Sequence, residues 1–213
     1  MKRISKDYLS RRVRVERVLA AFILVGVSPL FLILCLLVRV KMGSPVFFRQ
    51  QRVGRFGKTF EIFKFRTMVT DAERLGGGYI PAELNLVPPF GQFMRSTSLD
   101  EIPQLINILL GQMSFVGPRP ALPQQYARYT PEQARRVLVP QGITGLAQVT
   151  YRNDAPWSKR ICKDLEYVDS VNLRMDLNLV GKTLVKVVRS EGVMNNQTAA
   201  DVDDLQPATE DTK

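Results

Sequence analysis

The sequence predicts an α+β protein that is mostly helical, with an N-terminal re-entrant membrane helix, a small β-hairpin and surface amphipathic helices. Three observations lead to this prediction. An uncharged run of 21 residues, 18–38, follows a basic N-terminal segment. Two strand-like segments come next, separated by a glycine-containing turn. Much of the remaining chain places apolar residues at the helical spacing of three and four.

Composition limits the classes of function. The formal net charge is +10, and the segment 195–213, with one lysine and five acidic residues, contributes −4, so the rest carries +14. Such a basic body indicates phosphate-rich partners, namely nucleic acid, anionic lipid or a nucleotide. The chain contains no histidine, which excludes Ser-His-Asp and Cys-His nucleophilic catalysis and histidine-ligated zinc. Its two cysteines form no CxxC metal pair.

The uncharged run is long enough to cross the roughly 30 Å hydrocarbon core of a bilayer. Ser28-Pro29 lies at its middle, and a proline there removes a backbone hydrogen bond and kinks the helix. Basic residues flank both ends of the run, although positive charge marks the cytoplasmic side. We therefore predict a helix that enters the membrane, breaks at Ser28-Pro29 and returns to the same side. A straight span with a tolerated proline kink and a buried core helix are the alternatives.

This interpretation divides the chain into four parts. They are a basic cytoplasmic segment (1–17), a re-entrant membrane helix (18–40), a cytoplasmic domain (41–194) and a disordered acidic tail (195–213). The tail is polar and has little to bury, which is typical of disorder.

Residues 46–53 and 58–65 are rich in strand-forming residues, and the segment between them supplies a turn, so we predict a β-hairpin. The period of two in a strand places Lys64 and Arg66 on the same side. They are either solvated cations on an amphipathic edge strand or a cationic wall for a phosphate.

The candidate chemistry is concentrated in residues 95–120. The adjacent carboxylates Asp100 and Glu101 precede an apolar run that ends at Gly111. Its apolar residues follow an i, i+3, i+4, i+7, i+8 spacing, and they are Ile102, Leu105, Ile106, Leu109 and Leu110. This spacing predicts a helix with both carboxylates at its N-terminus, an end that holds a carboxylate, a phosphate, or both around a divalent cation.

A purely structural interpretation of the pair competes with this one. Asp100 could be the N-cap of the helix, with Pro103 in the first turn, where its missing N–H costs nothing. Ser98 and Glu101 also fit a capping box. Residues outside the pair must decide, and two cations are close in sequence: Arg95 lies upstream, and the stiff turn 117–120 presents Arg119.

Three more helices are predicted in the C-terminal half. Thr130 is a capping residue for a helix that runs to about Val139, where Pro140 stops it. Residues 159–172 and 177–189 also have helical patterns. The last of these carries an apolar stripe between cations, which either packs on the core or lies on a membrane surface, and packing is the favoured outcome.

Several of these segments together resemble one family, the monotopic phosphoglycosyl transferases. These are small, membrane-associated bacterial sugar transferases that begin glycan assembly on a polyprenyl phosphate. The matching stretches stand in the family's order and cover about residues 17–189. They are Ser28-Pro29 in the apolar run, GSPVFFRQQRVG, FEIFKFRTM, STSLDEIPQLINILLGQMSFVGPRP and GITGLAQV.

The resemblance implies a reaction in which a UDP-sugar and a polyprenyl (undecaprenyl) phosphate give a polyprenyl diphosphate-sugar and UMP. Asp100 would be the nucleophile that carries the phosphosugar, and Asp100 and Glu101 would hold Mg²⁺. It also implies a monotopic protein of the bacterial inner membrane whose catalytic domain faces the cytoplasm. Membrane lipids are then expected partners, and a homo-oligomer is left open. Nucleic acid is not expected, because the basic segments lack interleaved aromatic residues.

The resemblance extends to further substrate-binding residues. They are Lys64, Arg66, Arg95, Pro118, Arg119, Pro120, Gln148 and Arg152. One departure is Thr150-Tyr151, which stands where many relatives have Asn-Gly. Two other functions fit parts of the sequence: a glycosyl transferase that releases UDP, and a non-catalytic membrane-anchored module that binds anionic lipid. None of the quoted motifs reads the hydroxyl pattern of a sugar.

Overall fold

The computed structural model describes residues 6–70, 72, 86–151, 155–188 and 203–205, which are mostly helical with two small pairs of strands. The helices are α1 (Lys6–Met42), α2 (Pro89–Ser96), α3 (Gln104–Leu109), α4 (Pro123–Tyr126), α5 (Pro131–Ala134), α6 (Leu146–Tyr151), α7 (Trp157–Ser170) and α8 (Leu173–Val188). The strands are β1 (Phe47–Val53), β2 (Thr59–Phe65), β3 (Ser114–Val116) and β4 (Gly142–Thr144). Short 3₁₀ turns cover Arg55–Gly57, Leu99–Glu101 and Arg135–Leu138. The mostly helical α+β class and the hairpin are confirmed.

Helix α1 continues without interruption through Ser28 and Pro29, so the helix does not break where we predicted. Pro29 has no N–H to give to the carbonyl of Val25, four residues before it. The hydroxyl of Ser28 donates to that same carbonyl at 2.8 Å. Because the side chain satisfies the carbonyl that the proline leaves unpaired, the helical path continues across this point.

One side of α1 packs on the domain along almost its whole length. Leu9 joins a core cluster with Val116 and Tyr167, Ala20 joins a second cluster around β2 and α3, and Val38 joins a third. The stretch Asp7–Met42 is long and apolar enough to cross a membrane by length and composition. The side that does not pack exposes large apolar residues, namely Val15, Val18, Leu19, Phe22, Val25, Leu30, Leu32, Ile33, Leu36, Leu37 and Val40.

A buried polar network fixes the first turns of α1 to the domain. Arg12 donates to the Tyr167 hydroxyl at 2.7 Å, to a carboxylate oxygen of Asp176 at 2.8 Å and to the Val116 carbonyl at 3.1 Å. Tyr167 in turn donates to Asp176 at 2.6 Å. This network ties α1 to β3, α7 and α8, so the basic N-terminal segment contributes to the core from Leu9 onward.

The hairpin pairs β1 and β2 antiparallel, with Phe48 opposite Lys64. The edge of β2 that faces away from β1 is covered by the fully buried Asn107 of α3. The Asn107 amide nitrogen donates to the Glu61 carbonyl at 2.6 Å, and its amide oxygen accepts from the Phe63 N–H at 3.0 Å. Asn107 therefore takes the place of a third strand and sets the position of β2 against α3.

Strands β3 and β4 form a parallel pair that the sequence did not predict. The backbones approach closely just beyond β3: a Cβ added to Gly117 would lie 2.2 Å from the Pro140 carbonyl oxygen, and one added to Gly142 would lie 2.1 Å from the Gly117 nitrogen. Only glycine fits at both positions. This close approach holds the turn that begins at Gly117 against β4.

Two of the predicted C-terminal helices are present as α7 and α8, whereas the one predicted to run from Thr130 to about Val139 is divided into the short α5 and the 3₁₀ turn Arg135–Leu138. Thr130 caps α5 as expected, since its hydroxyl accepts from the Gln133 N–H at 3.3 Å. The apolar stripe predicted for the last helix packs on the core only in part: Leu179 is buried, whereas Leu184 is exposed.

Most of the acidic tail predicted to be disordered lies outside the described residues. Its described part, 203–205, contacts the domain. Arg128 donates to an Asp203 carboxylate oxygen at 2.7 Å, and the Ser158 N–H donates to Asp204 at 2.9 Å.

Candidate active site

Asp100 and Glu101 lie in the 3₁₀ turn Leu99–Glu101, between α2 and α3. The turn is entered through Ser98, whose φ of 56° is left-handed. Asp100 is only 7% exposed. The helix that was predicted to begin at this pair begins instead at Gln104, and it has only six residues. The dyad therefore does not sit in the first turn of a long helix, and its counter-charge has to come from elsewhere.

The predicted apolar stripe of this helix is wrong in part. Leu105 is buried as expected, but Leu110 is exposed, and the polar Gln104 and Asn107 are buried on the same helix. The reason is the free edge of β2, which needs a polar partner and draws Asn107 inward. Gly111 ends the helix as predicted, with a left-handed φ of 77°.

The capping alternatives do not apply either. Neither the 3₁₀ turn, which begins after Ser98, nor α3, which begins after Pro103, has a side-chain cap hydrogen bond. Asp100 is thus a buried carboxylate and Glu101 a partly buried one, neither with a capping role, and such groups need charged or hydrogen-bonding partners.

Those partners are cations from distant parts of the chain. The ammonium of Lys64, near the end of β2, lies 2.6 Å from Glu101 Oε1 and 3.8 Å from Asp100 Oδ2. The guanidinium of Arg119, from the turn after β3, lies 3.3 Å from the same Glu101 oxygen. Among the described residues, Glu101 therefore has two cationic partners within 4 Å, whereas Asp100 has one at the limit of an ion pair.

Arg95 supplies a third positive charge to the dyad. It lies in the last turn of α2, and its Nε donates to the Thr67 hydroxyl at 3.0 Å. Burial lowers the pKa of Arg95, and the negative charges of Asp100 and Glu101 oppose that effect. Lys64, Arg95 and Arg119, which were predicted to bind substrate, thus lie near the dyad, and their binding of substrate stays a prediction.

The two carboxyl groups differ in their electrostatics. Burial raises the pKa of Asp100 above its ordinary value, and the positive charge of Lys64 only partly offsets this effect. Burial also acts to raise the pKa of Glu101, but Lys64 and Arg119 outweigh it and lower that pKa to about 2. Glu101 is thus a firmly ionised, paired carboxylate, and Asp100 is the less neutralised of the two.

Some residues predicted for substrate binding lie elsewhere or are held by other groups. Arg66 is buried and donates to the Met42 carbonyl at the end of α1. The amide nitrogen of Gln148 donates to the Ile143 carbonyl at 2.8 Å, and its amide oxygen is buried without a hydrogen-bond partner. Arg152 lies outside the described residues.

The turn carrying Arg119 is held by its backbone. The carbonyl of Pro118 accepts from the Gly142 N–H at 2.9 Å, and that of Pro120 accepts from Arg52 at 3.2 Å. The Arg119 carbonyl accepts from the buried Arg136 at 2.8 Å. Sequence reasoning missed Arg136, because an arginine within a predicted amphipathic helix gives no sign of burial.

The donor set at the dyad fits one divalent cation that arrives with its substrate. Mg²⁺ is usually held by one or two carboxylates together with substrate phosphates and water, and Asp100 and Glu101 are two adjacent carboxylates. In the part of the chain that the structure describes, no group of three or more acidic or cysteine side chains could hold a metal by itself.

Comparison with known proteins assigns the family. The model of the bacterial sugar transferase family matches residues 8–190. The chain belongs to this family. The match includes α1, the dyad and the turn with Arg119, so the site described above lies within the segment that defines the family.

Individual relatives show the same relationship. The chain is 44% identical over 182 residues to the uncharacterized sugar transferase EpsL of Bacillus subtilis, with 84% of this chain and 89% of the relative covered. It is 38% identical over 183 residues to a UDP-glucose:undecaprenyl-phosphate glucose-1-phosphate transferase of Xanthomonas campestris (81% and 38% covered). It is 35% identical over 190 residues to an undecaprenyl-phosphate galactose phosphotransferase of Salmonella typhimurium (82% and 40% covered). The chain therefore spans about two fifths of these two longer relatives.

Replacing Lys64 by methionine should raise the pKa of Glu101 well above about 2, because burial then acts against fewer positive charges. The folded-state pKa lies below the ordinary 4.5, so ionised Glu101 stabilises the fold above about pH 4.5 and loses that effect as the pH falls through about 2. In K64M the stabilisation by ionised Glu101 should begin to disappear at a higher pH as the solution is acidified. NMR titration of the glutamate carboxyl carbons in detergent micelles measures the pKa.

The matched control for this titration is Lys58→Met, which removes an exposed ammonium from the same hairpin. An unchanged Glu101 pKa in K64M, or the same change in both variants, would contradict the assignment of Lys64 as the main counter-charge.

Proposed function

We propose that this protein transfers a sugar-1-phosphate from a UDP-sugar to a polyprenyl phosphate, giving a polyprenyl diphosphate-sugar and UMP. Two findings support the proposal: the buried dyad surrounded by cations, and the two relatives whose names describe undecaprenyl-phosphate sugar phosphate transfer. The observation that carries it is the difference between the two carboxyl groups, because it leaves Asp100 available while Glu101 is paired.

Asp100 is the proposed nucleophile. One of its carboxylate oxygens attacks the phosphorus that carries the sugar, and an Asp–O–P bond forms. The bond between that phosphorus and the oxygen bridging to the nucleotide breaks, and UMP leaves with the bridging oxygen. Lys64, Arg95 and Arg119 surround the dyad with positive charge, which stabilises the charge that develops on the phosphoryl oxygens.

The acceptor phosphate completes the reaction. An oxygen of the polyprenyl phosphate attacks the same phosphorus, the Asp–O–P bond breaks, and the Asp100 carboxylate is regenerated. No proton is gained or lost by the nucleophile in either step. Direct transfer would require one anionic substrate to attack another, and a covalent intermediate replaces that reaction by two separate steps. We assign this role to the buried carboxylate of Asp100, whose charge is only partly neutralised.

We also propose that Asp100 and Glu101 hold Mg²⁺ together with the substrate diphosphate. When bound, the ion would neutralise the diphosphate charge and favour departure of UMP. Glu101 is already paired with Lys64 and Arg119, so these side chains must share or release it when the metal binds. The sharing explains why two cations and an acidic pair occupy one small site.

The proposed location is the cytoplasmic face of the bacterial inner membrane, with α1 entering and leaving on the same side through a bend at Pro29 that does not end the helix. Leu99 and Ile102, which flank the dyad, pack against the α1 cluster of Leu34 and Val38. If α1 crossed the bilayer, these contacts would carry the charged dyad into hydrocarbon, at a high cost. A helix that stays in one leaflet places the dyad at the depth of a lipid phosphate.

A cysteine-accessibility experiment tests this location. Single cysteines at positions 5 and 58, in a protein whose two native cysteines are replaced by serine, should both react with a membrane-impermeant maleimide only in inside-out vesicles. The basic flanks then lie on one side, as the charge distribution requires. Labelling of position 5 in right-side-out vesicles and of position 58 in inside-out vesicles would show a transmembrane helix instead.

Nucleotide release tests the reaction itself. With a panel that includes UDP-glucose and UDP-galactose, Mg²⁺ and polyprenyl phosphate, the wild type should release UMP from at least one donor. Asp100→Asn should reduce the rate by at least about 1,000-fold, because removing a nucleophile leaves only the background from binding and electrostatics. Asp169→Asn, an exposed aspartate of α7, is the control and should retain full activity.

Each other outcome has a definite meaning. Release of UDP would make the protein a glycosyl transferase and overturn the proposed reaction. An active Asp100→Asn variant would move the nucleophile to another residue. Polyprenyl phosphate binding without release of any nucleotide would favour the non-catalytic lipid-binding function.

A further inference from the structure

The carbonyl of Arg119 is held by a buried ion pair that lies behind the turn, away from the dyad. Arg136, in the 3₁₀ turn Arg135–Leu138, is 2% exposed. Its Nη1 donates to the Tyr129 hydroxyl at 2.6 Å, and its Nη2 donates to the Arg119 carbonyl at 2.8 Å. Nη2 also bonds to the carboxylate of Asp164, a residue of α7 that is equally buried.

Three successive carbonyls of the turn are fixed in this way. Pro118 accepts from the Gly142 backbone, Pro120 accepts from Arg52, and the carbonyl between them accepts from Arg136. The two prolines have no N–H and a fixed φ, so little freedom remains in the backbone. What can still move is the Arg119 side chain, whose guanidinium reaches Glu101 at 3.3 Å.

A buried ion pair is weak evidence for stability, because removing two charges from water costs about as much as their attraction returns. The position of this pair suggests another use. It connects α7 and Tyr129 to the backbone of the one residue in the turn whose side chain faces the dyad. The planar fork of an arginine suits this task, since it can address several acceptors in fixed directions, whereas a lysine ammonium cannot.

We propose that Arg136 and Asp164 are positioning residues that set the direction of the Arg119 guanidinium toward the dyad and the substrate diphosphate. This inference rests on the proposed function. The acceptors of Arg136 among the described residues do not include the dyad, and it acts through the Arg119 carbonyl. Its loss is therefore expected to impair turnover only as long as Arg119 has a guanidinium to position.

Arg136→Lys is the central variant, because it keeps the charge that Asp164 requires but loses the fork. We expect its kcat/KM for the UDP-sugar to fall by up to about 100-fold, the effect of misplacing a group that orients a substrate. Arg135→Lys is the matched control: Arg135 is the adjacent residue, it pairs with Glu132 and Asp169 at the surface, and it does not contact the turn. The R135K variant should retain full activity.

The test that separates positioning from general structural support is a double-mutant cycle with Arg119→Met. If Arg136 acts through Arg119, the R119M/R136K protein should be as active as R119M alone, because residues that act as a unit are not additive. Two results would overturn the proposal: losses that multiply in the double variant, or R136K activity equal to that of R135K. If R136K fails to fold, Tyr129→Phe removes only one acceptor of Arg136, and its smaller loss should vanish in the R119M background.

A second measurement does not depend on turnover. Hydrogen exchange of the segment 114–121 should be faster in R136K than in wild type and unchanged in R135K, because the Arg119 carbonyl has lost its donor. If the wild type releases no UMP, the proposed function fails while the exchange result still decides the positioning. If UMP is released and exchange is unchanged in R136K, the positioning proposal fails and the proposed function stands.

Discussion

Everything at the candidate site depends on the neutralisation of two adjacent carboxylates that are removed from water. An isolated buried carboxylate is costly, and two neighbouring ones repel each other. The chain solves this with the Lys64–Glu101 pair at 2.6 Å, supported by Arg119 and Arg95. Each cation comes from a different element: the end of β2, the turn after β3 and the last turn of α2. The fold can be understood as the arrangement that brings these elements to one 3₁₀ turn.

The neutralisation is unequal, and this inequality agrees with the proposed chemistry. Glu101 takes the two nearest cations and keeps a pKa of about 2, while burial raises the pKa of Asp100. A carboxylate that is fully paired is a poor nucleophile, whereas one that is incompletely solvated and incompletely paired is more reactive. The paired neighbour also holds Lys64 and Arg119 beside the dyad, where an incoming diphosphate would meet them. The geometry thus gives the two carboxyl groups of one turn different charge partners, and the proposed mechanism assigns them different roles.

The sequence was informative where local rules govern the structure. Period-two spacing in β2 placed Lys64 on one side of the strand and left open whether it is solvated, Thr130 marked a helix start, and Gly111 marked a helix end. The sequence also assigned Asp100, Glu101, Arg95 and Arg119 to one candidate site. That assignment came mainly from the resemblance to a family. Arg66 follows β2 by one residue, and there the same periodicity pointed to a phosphate, whereas its side chain binds the end of α1.

The contacts that escaped prediction join residues far apart in the chain. Asn107 closes the edge of β2, and Arg136, which is paired with Asp164, donates directly to the carbonyl of Arg119. Neither residue has a local signal, because a polar side chain is buried only when a distant backbone group needs it. The continuous path of α1 through Pro29 has a local cause instead, since the Ser28 hydroxyl donates to the Val25 carbonyl that the proline leaves unpaired.

The covalent mechanism is tested most directly by looking for the phosphosugar on Asp100. The wild-type protein would be incubated with Mg²⁺ and the UDP-sugar that supports UMP release, without the lipid acceptor, and then analysed by intact-mass and peptide mass spectrometry. The covalent mechanism predicts an added mass of one sugar phosphate, located at Asp100, absent from Asp100→Asn and removed by polyprenyl phosphate. An adduct on Glu101 or on any other residue, or turnover without any adduct, would contradict it.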